Sequence, residues 1–177
     1  MSSNPSFYVR DLKPTDYNAY YGAYLKLVGD GTLLQALDKC AHEIGFFLDT
    51  IDQQQFRFSY APGKWTVGAV VLHLIDTERI FQYRALRFAR NDQTELQGFD
   101  QDDFVMESRA EERTKESLIS EFQAVRKSSI ALFSQMDGTI LRRGGRASGS
   151  RMSVGALAFL ICGHQIHHFN IIGERYL

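Results

Sequence analysis

Helical periodicity is the feature that most restricts how this chain can fold. Apolar side chains recur every three or four residues in four long segments, and strand-like alternation is too weak to compete with this pattern. The segments begin after Thr32, Thr66, Thr114 and Ser153, and Ser and Thr are residue types that cap helix N-termini. Four amphipathic helices predict an all-α four-helix bundle, with either antiparallel or crossover connections.

Polar residues, glycine and proline mark the connections between these helices. The longest connection follows the second long helix, at residues 91–113, and a connection of that length tends to be functional or to cover a site. The other expected boundaries are an N-terminal arm at residues 1–16, a short helix that ends at Gly29-Asp30-Gly31, the end of the second long helix near Arg90, the end of the third at Asp137-Gly138, and a glycine-rich basic loop at residues 142–151.

Length and charge narrow the class of protein. A chain of 177 residues is long enough for one domain with a substantial core, so we expect residues 1–177 to form a single domain. Lys and Arg total 20 against 21 Asp and Glu, so no net positive field attracts nucleic acid or an anionic membrane. We also expect no signal peptide and no membrane span. These features predict a cytoplasmic protein that acts on a small molecule.

A dense group of histidines lies near the end of the chain, in the segment from Gly163 to His168. Residues four apart on a helix are offset by about 40° and rise about 6 Å, so His164 and His168 can direct their rings at one point. Both continue the apolar stripe of Leu157 and Ile161, which predicts that they face the interior. The spacing therefore predicts a two-armed chelate for a metal ion.

His73 is the third candidate ligand. It shares a stripe of the second long helix with Val70, Thr77 and Ile80, so we expect it to face the same interior. Burying three imidazoles is costly unless each nitrogen finds a partner, and a divalent metal supplies three partners at once. Three histidines with an open fourth position form a catalytic type of zinc site, and nickel and iron also suit imidazole. Asp76 and Thr77, one turn further on, are candidates to hold the second ring nitrogen of His73.

Two other histidines are weaker candidates. His167 is offset by about 60° from His164 and about 100° from His168, so it could substitute as a ligand, but we expect it beside the site or facing a neighbouring helix. His42 lies in a polar stretch of the first long helix, and we expect it at the surface.

Charged residues near these elements have ordinary surface interpretations. We expect Glu78 to pair with Arg79 or Arg84 on the surface of the bundle. The basic loop could bind an anionic thiol or substrate, although a solvated loop is the more common outcome for such a charge run. Its arginines are Arg142, Arg143 and Arg146.

Several segments resemble the DinB/YfiT-like metalloenzymes of the DinB superfamily. They are PGKWT at residues 62–66 leading into LHLIDTE at 72–78, RALRFAR at 84–90, and GHQIHH at 163–168 with the ending ERYL. The resemblance implies an up-down-down-up four-helix bundle, commonly a homodimer, that holds a divalent metal such as zinc or nickel. One histidine of the second helix and two of the fourth bind that metal in the family, and these positions match His73, His164 and His168 here.

Enzymes of this family include bacillithiol and mycothiol transferases and maleylpyruvate isomerase, which activate a small thiol on the metal. The first hypothesis is therefore a metal-dependent transferase or hydrolase in which a low-molecular-weight thiol or water attacks an electrophile. The alternative is a noncatalytic, stress-related metal-binding protein whose site is closed by a fourth protein ligand such as His167. The sequence identifies neither the metal, the thiol nor any catalytic residue beyond the ligands.

Overall fold

Four long helices dominate the computed structural model of the chain, which describes residues 6–177. Short 3₁₀ turns lie at Val9–Asp11, Pro14–Asp16, Ala19–Tyr21 and Ala110–Glu112. The helices and strands are, in chain order, α1 (Gly22–Leu25), α2 (Leu33–Asp49), α3 (Gln53–Phe56), α4 (Val67–Ala89), α5 (Gln101–Glu107), α6 (Lys115–Phe133), α7 (Gly138–Leu141), β1 (Gly144–Ala147), β2 (Ser150–Ser153) and α8 (Val154–Arg175).

Each long helix begins at the N-cap expected from the sequence. The hydroxyls of Thr32, Thr66, Thr114 and Ser153 accept hydrogen bonds of 3.1 to 3.4 Å from backbone N–H groups three residues further on. A Ser or Thr cap of this kind stabilises a helix by about 1 kcal/mol. The predicted starts of α2, α4, α6 and α8 are therefore confirmed.

Contacts between the long helices give the bundle its topology. α2 and α4 lie at opposite corners, because each packs against both α6 and α8. α4 and α6 are parallel, since Arg79 pairs with Glu121 and Gln82, one turn later, donates to the hydroxyl of Ser129. α2 runs antiparallel to α6 and parallel to α8, so the order is up-down-down-up. This confirms the expected fold class.

A polar layer at mid-height divides the core into two apolar clusters. Arg126, only 1% exposed, donates from Nε and Nη2 to the two carboxylate oxygens of Glu78 at 2.8 and 2.9 Å. Its Nη2 also donates to Gln165 Oε1 at 2.9 Å, and Gln165 donates to the carbonyl of Cys40. The layer thus joins α2, α4, α6 and α8 at one level.

Glu78 corrects the expectation of a surface ion pair with Arg79 or Arg84. It is 3% exposed and pairs with Arg126 instead. The reason is tertiary: α4 is covered by α6 on one side and by α8 on the other, so a position outside the histidine stripe is still buried.

The expectation of an irregular basic loop at residues 142–151 is also wrong, because most of this segment forms a β-hairpin. β1 pairs antiparallel with β2. The turn residues Ser148 and Gly149 both have positive φ, 51° and 72°, which is the geometry of the tight turns that match strand twist. Serine rarely adopts this conformation, so the turn lacks the Asn-Gly or Asp-Gly signal that reveals such hairpins in a sequence.

The long connection at residues 91–113 is attached to this hairpin. The backbone N–H of Leu96 donates to the carbonyl of Arg146 at 2.9 Å, and the Leu96 carbonyl accepts from the backbone N–H of Ser148 at 3.0 Å. After Leu96 the connection forms α5 and a 3₁₀ turn rather than an irregular loop. The connection is thereby held beside α4, next to the histidines.

The end of the third long helix differs in detail from the sequence pattern, because α6 ends at Phe133. Asp137 does not end the third helix but begins α7, because its carboxylate accepts from the N–H groups of Thr139 and Ile140. The arm lies on the body from residue 6, with Phe7 3% exposed and stacked on Phe159. The arm's first five residues lie outside the described part of the chain. Among the helices of residues 6–177, none is long and apolar enough to cross a membrane.

Candidate metal centre

Three histidine rings meet between α4 and α8. His73 Nε2 lies 3.1 Å from His164 Nε2, which lies 3.0 Å from His168 Nε2. All three donor atoms lie within 4.8 Å of one another. The antiparallel packing of α4 and α8 explains the meeting, because it sets the single histidine of one helix opposite the i, i+4 pair of the other.

The spacing of the nitrogens fits one divalent ion. A tetrahedral ion with metal–nitrogen bonds of about 2.0 to 2.1 Å holds two imidazole nitrogens about 3.3 Å apart. A neutral ring nitrogen carries either one N–H or one lone pair, so His164 Nε2 satisfies only one of its two neighbours by hydrogen bonding. A shared cation satisfies all three.

The rings have the charge state that a metal requires. Burial lowers the pKa of His73 from 6.5 to about 4 and that of His168 to about 3. Burial, followed by the neighbouring imidazoles, lowers the pKa of His164 well below its ordinary value. All three are therefore neutral at pH 7, which is the form in which imidazole binds metal.

Thr77 and Asp76 behave differently as supports of His73. Thr77 Oγ1 lies 3.5 Å from His73 Nδ1, the nitrogen on the far side of the ring from the cluster. The carboxylate of Asp76 lies instead 3.6 Å from Arg79 on the outer face of α4. Of the two candidates from helix spacing, Thr77 is therefore the one that contacts the His73 ring, and Asp76 does not.

The two remaining histidines stay outside the cluster. His167 is half-buried and packs its ring edge-on against Tyr24, with ring centres 4.8 Å apart. Its nitrogens do not belong to the group of converging donors found in residues 6–177. His42 is 74% exposed on its side chain and lies 3.8 Å from Asp38. Both positions agree with the sequence-based expectation.

A cavity of about 270 Å³ opens beside His73 and His164. Its walls come from parts of the chain that are distant in sequence: the 3₁₀ turn and α1 before the bundle, α4, the long connection, the hairpin and α8. The lining residues that the sequence pattern does not reveal are Tyr20, Tyr21, Tyr24, Phe81, Arg84, Phe99, Gln101, Ser148 and Leu160. Phe81 and Arg84 share the stripe of His73 and Thr77, and this spacing is the one signal that points to them.

A second cavity, of about 510 Å³, reaches the cluster from the side of His168. Trp65, Lys64 and Tyr60 are among its walls, and Gln101 at the start of α5 lines both cavities. The three histidines are thus accessible from two sides. The arginines of the basic segment do not reach either space: Arg143 and Arg146 are exposed and donate to the carbonyls of Ala89 and Gly149.

One glycine lets the N-terminal segment close over the cluster. A Cβ atom on Gly163 would lie 2.4 Å from the carbonyl oxygen of Tyr24. Because no side chain separates the two backbones, Tyr24 comes to within 5.9 Å of the His164 ring, measured between ring centres. The absence of a side chain at Gly163 therefore sets how closely Tyr24, in the cavity wall, approaches the histidines.

Comparisons with known proteins bear on the fold. The profile of the DinB superfamily matches residues 36–172. Among solved structures the chain is similar to YfiT from Bacillus subtilis, described as "a probable metal-dependent hydrolase with an unusual four-helix bundle topology". The two are 19% identical, with a TM-score of 0.72 over 80% of this chain and 82% of that one. No curated protein matches the chain.

Proposed function

We propose a metal-dependent hydrolytic function for this chain, which belongs to the DinB superfamily. In this proposal His73, His164 and His168 hold one divalent ion, zinc or nickel, and the nucleophile is water. The observation that carries it is the convergence of three neutral Nε2 atoms at 3.0 and 3.1 Å beside a cavity. The likeness to YfiT supports the same class of reaction.

A metal held by three neutral imidazoles lowers the pKa of bound water to about 7 and polarises a carbonyl or phosphoryl oxygen. The protein's own residues do the remaining work. Thr77 fixes the His73 ring, and the tyrosines of the N-terminal segment close one side of the cavity against bulk water.

Two of these tyrosines can serve as hydrogen-bond donors to the substrate. Burial raises the pKa of Tyr21 and of Tyr24, so both phenols stay protonated at neutral pH. Tyr24 Oη also lies 3.2 Å from the hydroxyl of a third tyrosine, Tyr20, which orients the Tyr24 hydroxyl. A neutral phenol in this position stabilises negative charge that develops on the substrate.

Transfer of a low-molecular-weight thiol is the second candidate function. The observation that favours it is the pair of cavities, one on the side of His73 and His164 and the other on the side of His168. Two separate spaces at one cluster suit a reaction with two substrates, a thiol and an electrophile. In hydrolysis the second cavity has no assigned occupant.

The noncatalytic alternative requires a closed site. His167 is the residue expected to close it, but its ring packs on Tyr24 instead of joining the three converging donors. A catalytic ion needs an exchangeable coordination position, and an ion held by these three histidines alone would keep its fourth position for water or substrate.

Reconstitution with metal tests the proposal. Protein loaded with Zn²⁺ or Ni²⁺ is assayed with chromogenic esters, in water alone and with several small thiols. We expect a metal-dependent rate that is lost in His164→Ala and retained in His42→Ala, because His42 is exposed and remote from the cluster. A thiol-dependent rate without hydrolysis would select the transferase. Absence of any metal-dependent rate would support the noncatalytic alternative.

A further inference from the structure

The cavity beside the histidines has a charged end that the proposed hydrolysis leaves unused. Arg84 lies there, 3% exposed. Its Nη2 donates to the carbonyl of Gln97 at 3.0 Å and to the hydroxyl of Ser148 at 2.8 Å. Burial lowers the pKa of this guanidinium, and within residues 6–177 no carboxylate pairs with it.

Two nitrogens of the Arg84 guanidinium have no hydrogen-bond partner among residues 6–177. In the described part of the chain, every fully buried side-chain donor or acceptor has a hydrogen-bond partner. Nη2 donates to both protein acceptors, so Nε and Nη1 are not fully buried and are the atoms left for a partner in the cavity that Arg84 lines. A buried charge without an opposite charge is unfavourable, and a ligand anion supplies the missing partner.

The fold sets this guanidinium and the three histidines at two ends of one space. His73, Thr77, Phe81 and Arg84 all line the cavity from one face of α4. Three helical turns separate the Cα atoms of His73 and Arg84 by about 16 Å. Helical side chains lean toward the N-terminus, so Arg84 reaches back along the helix toward the histidines. Between the two ends, Phe81 offers an apolar surface.

The charge of the lining residues selects the anion. Among the described residues around this cavity, Arg84 is the one side chain with a formal charge. It neutralises one negative charge, whereas a phosphate dianion would keep a second charge uncompensated away from water. The planar guanidinium fork also matches the two oxygens of a carboxylate.

We propose that the substrate carries a carboxylate that pairs with Arg84, an apolar body that lies along Phe81 and Phe99, and its reactive group at the three histidines. This inference rests on the proposed metal-dependent function and names the class of molecule on which that function acts. Arg84 is in this account the residue that determines specificity for acidic substrates.

Bifunctional probes test the inference on zinc-loaded protein. The probes are the monohydroxamates of adipic, pimelic and suberic acid, and matched compounds in which the free carboxylate is replaced by a primary amide. The hydroxamate binds the metal, and the far end reaches toward Arg84. Isothermal titration is expected to show that the carboxylate compound of the best length binds about ten- to a hundredfold more tightly than its amide.

Variants identify the residue responsible. In Arg84→Met the preference for carboxylate over amide is expected to disappear while hydroxamate binding remains. Arg84→Lys keeps the charge without the planar fork and is expected to keep part of the preference. The matched control is Arg79→Met, since Arg79 lies on the outer face of the same helix and pairs with Glu121. That control is expected to keep the full preference.

The outcomes separate this inference from the proposed function. If the wild-type protein binds hydroxamates but does not distinguish carboxylate from amide at any length, the inference is overturned and the metal site stands. Because that comparison uses the wild-type chain, it does not depend on how Arg84→Met folds. If no hydroxamate binds to the zinc-loaded protein, the ion has no exchangeable position that a ligand can reach, and the proposed catalytic function is refuted together with the inference.

Discussion

Removing Arg126 tests whether the polar layer organises the bundle. The substitution Arg126→Met leaves the Glu78 carboxylate, 3% exposed, with the hydroxyl of Ser129 as its remaining donor. Gln165 also loses its donor at 2.9 Å. Breaking a buried, hydrogen-bonded ion pair from one side costs about 3 to 5 kcal/mol, because the other charge stays buried without compensation.

Urea denaturation and thermal unfolding of the metal-free protein at pH 7 measure this cost. For a chain of this size, about 3 to 5 kcal/mol corresponds to a fall in Tm of roughly 6 to 20 °C. The double variant Glu78→Leu with Arg126→Met is expected to recover most of the loss, since apolar replacement of a whole buried pair is often neutral. Arg79→Met is the matched control: its ion pair with Glu121 is at the surface, where the loss is about 1 kcal/mol or less.

A loss below about 1 kcal/mol in Arg126→Met, equal to that of the surface control, would refute this account of the polar layer. So would a double variant whose loss equals or exceeds the sum of the losses of the two single variants, because the two charges would then show no favourable coupling.

The remaining predictions concern the wall of the cavity and the pH dependence. Gly163→Ala is expected to destabilise the protein by about 1 to 3 kcal/mol and to expose the cavity, because its Cβ would meet the Tyr24 carbonyl at 2.4 Å. The control Gly173→Ala has open space at its Cβ and is expected to be neutral or stabilising. Equal changes in stability for the two variants would contradict the close approach of Gly163 and Tyr24. Lowering the pH from 7.5 to 5 is expected to destabilise the metal-free protein by about 2 kcal/mol through His73 alone. The folded-state pKa of His73 is about 4 against 6.5 for the free side chain, so the unfolded chain takes up more protons as the pH falls through 6.5. Urea midpoints at the two pH values measure this, and a stability that does not fall would show that the ring is not held neutral by burial.

Sequence patterns predicted the parts of this protein that depend on local rules. Thr32 and Ser153 mark helix starts because a cap needs only its own hydroxyl and the next turn of backbone. His164 and His168 could be placed on one interior face because helix geometry alone fixes their relation. His73 joined them through the stripe of α4 together with the family resemblance.

The parts that the sequence did not reveal depend on contacts between distant segments. Glu78 is buried because two other helices cover α4, and Arg84 faces the cavity because the hairpin and the long connection lie against it. The hairpin turn at Ser148 uses a residue that local statistics assign to other conformations. In each case a local pattern is compatible with several tertiary environments, and the neighbours decide among them.

Metal stoichiometry is the most direct test of the central claim. Elemental analysis and zinc titration are compared for the wild-type protein and for alanine variants of all five histidines. The account predicts one ion per chain, lost or greatly weakened in His73→Ala, His164→Ala and His168→Ala, and retained in His42→Ala and His167→Ala. A wild-type protein that binds no stoichiometric ion would contradict the central claim, as would a loss of metal in His167→Ala as large as that in His164→Ala.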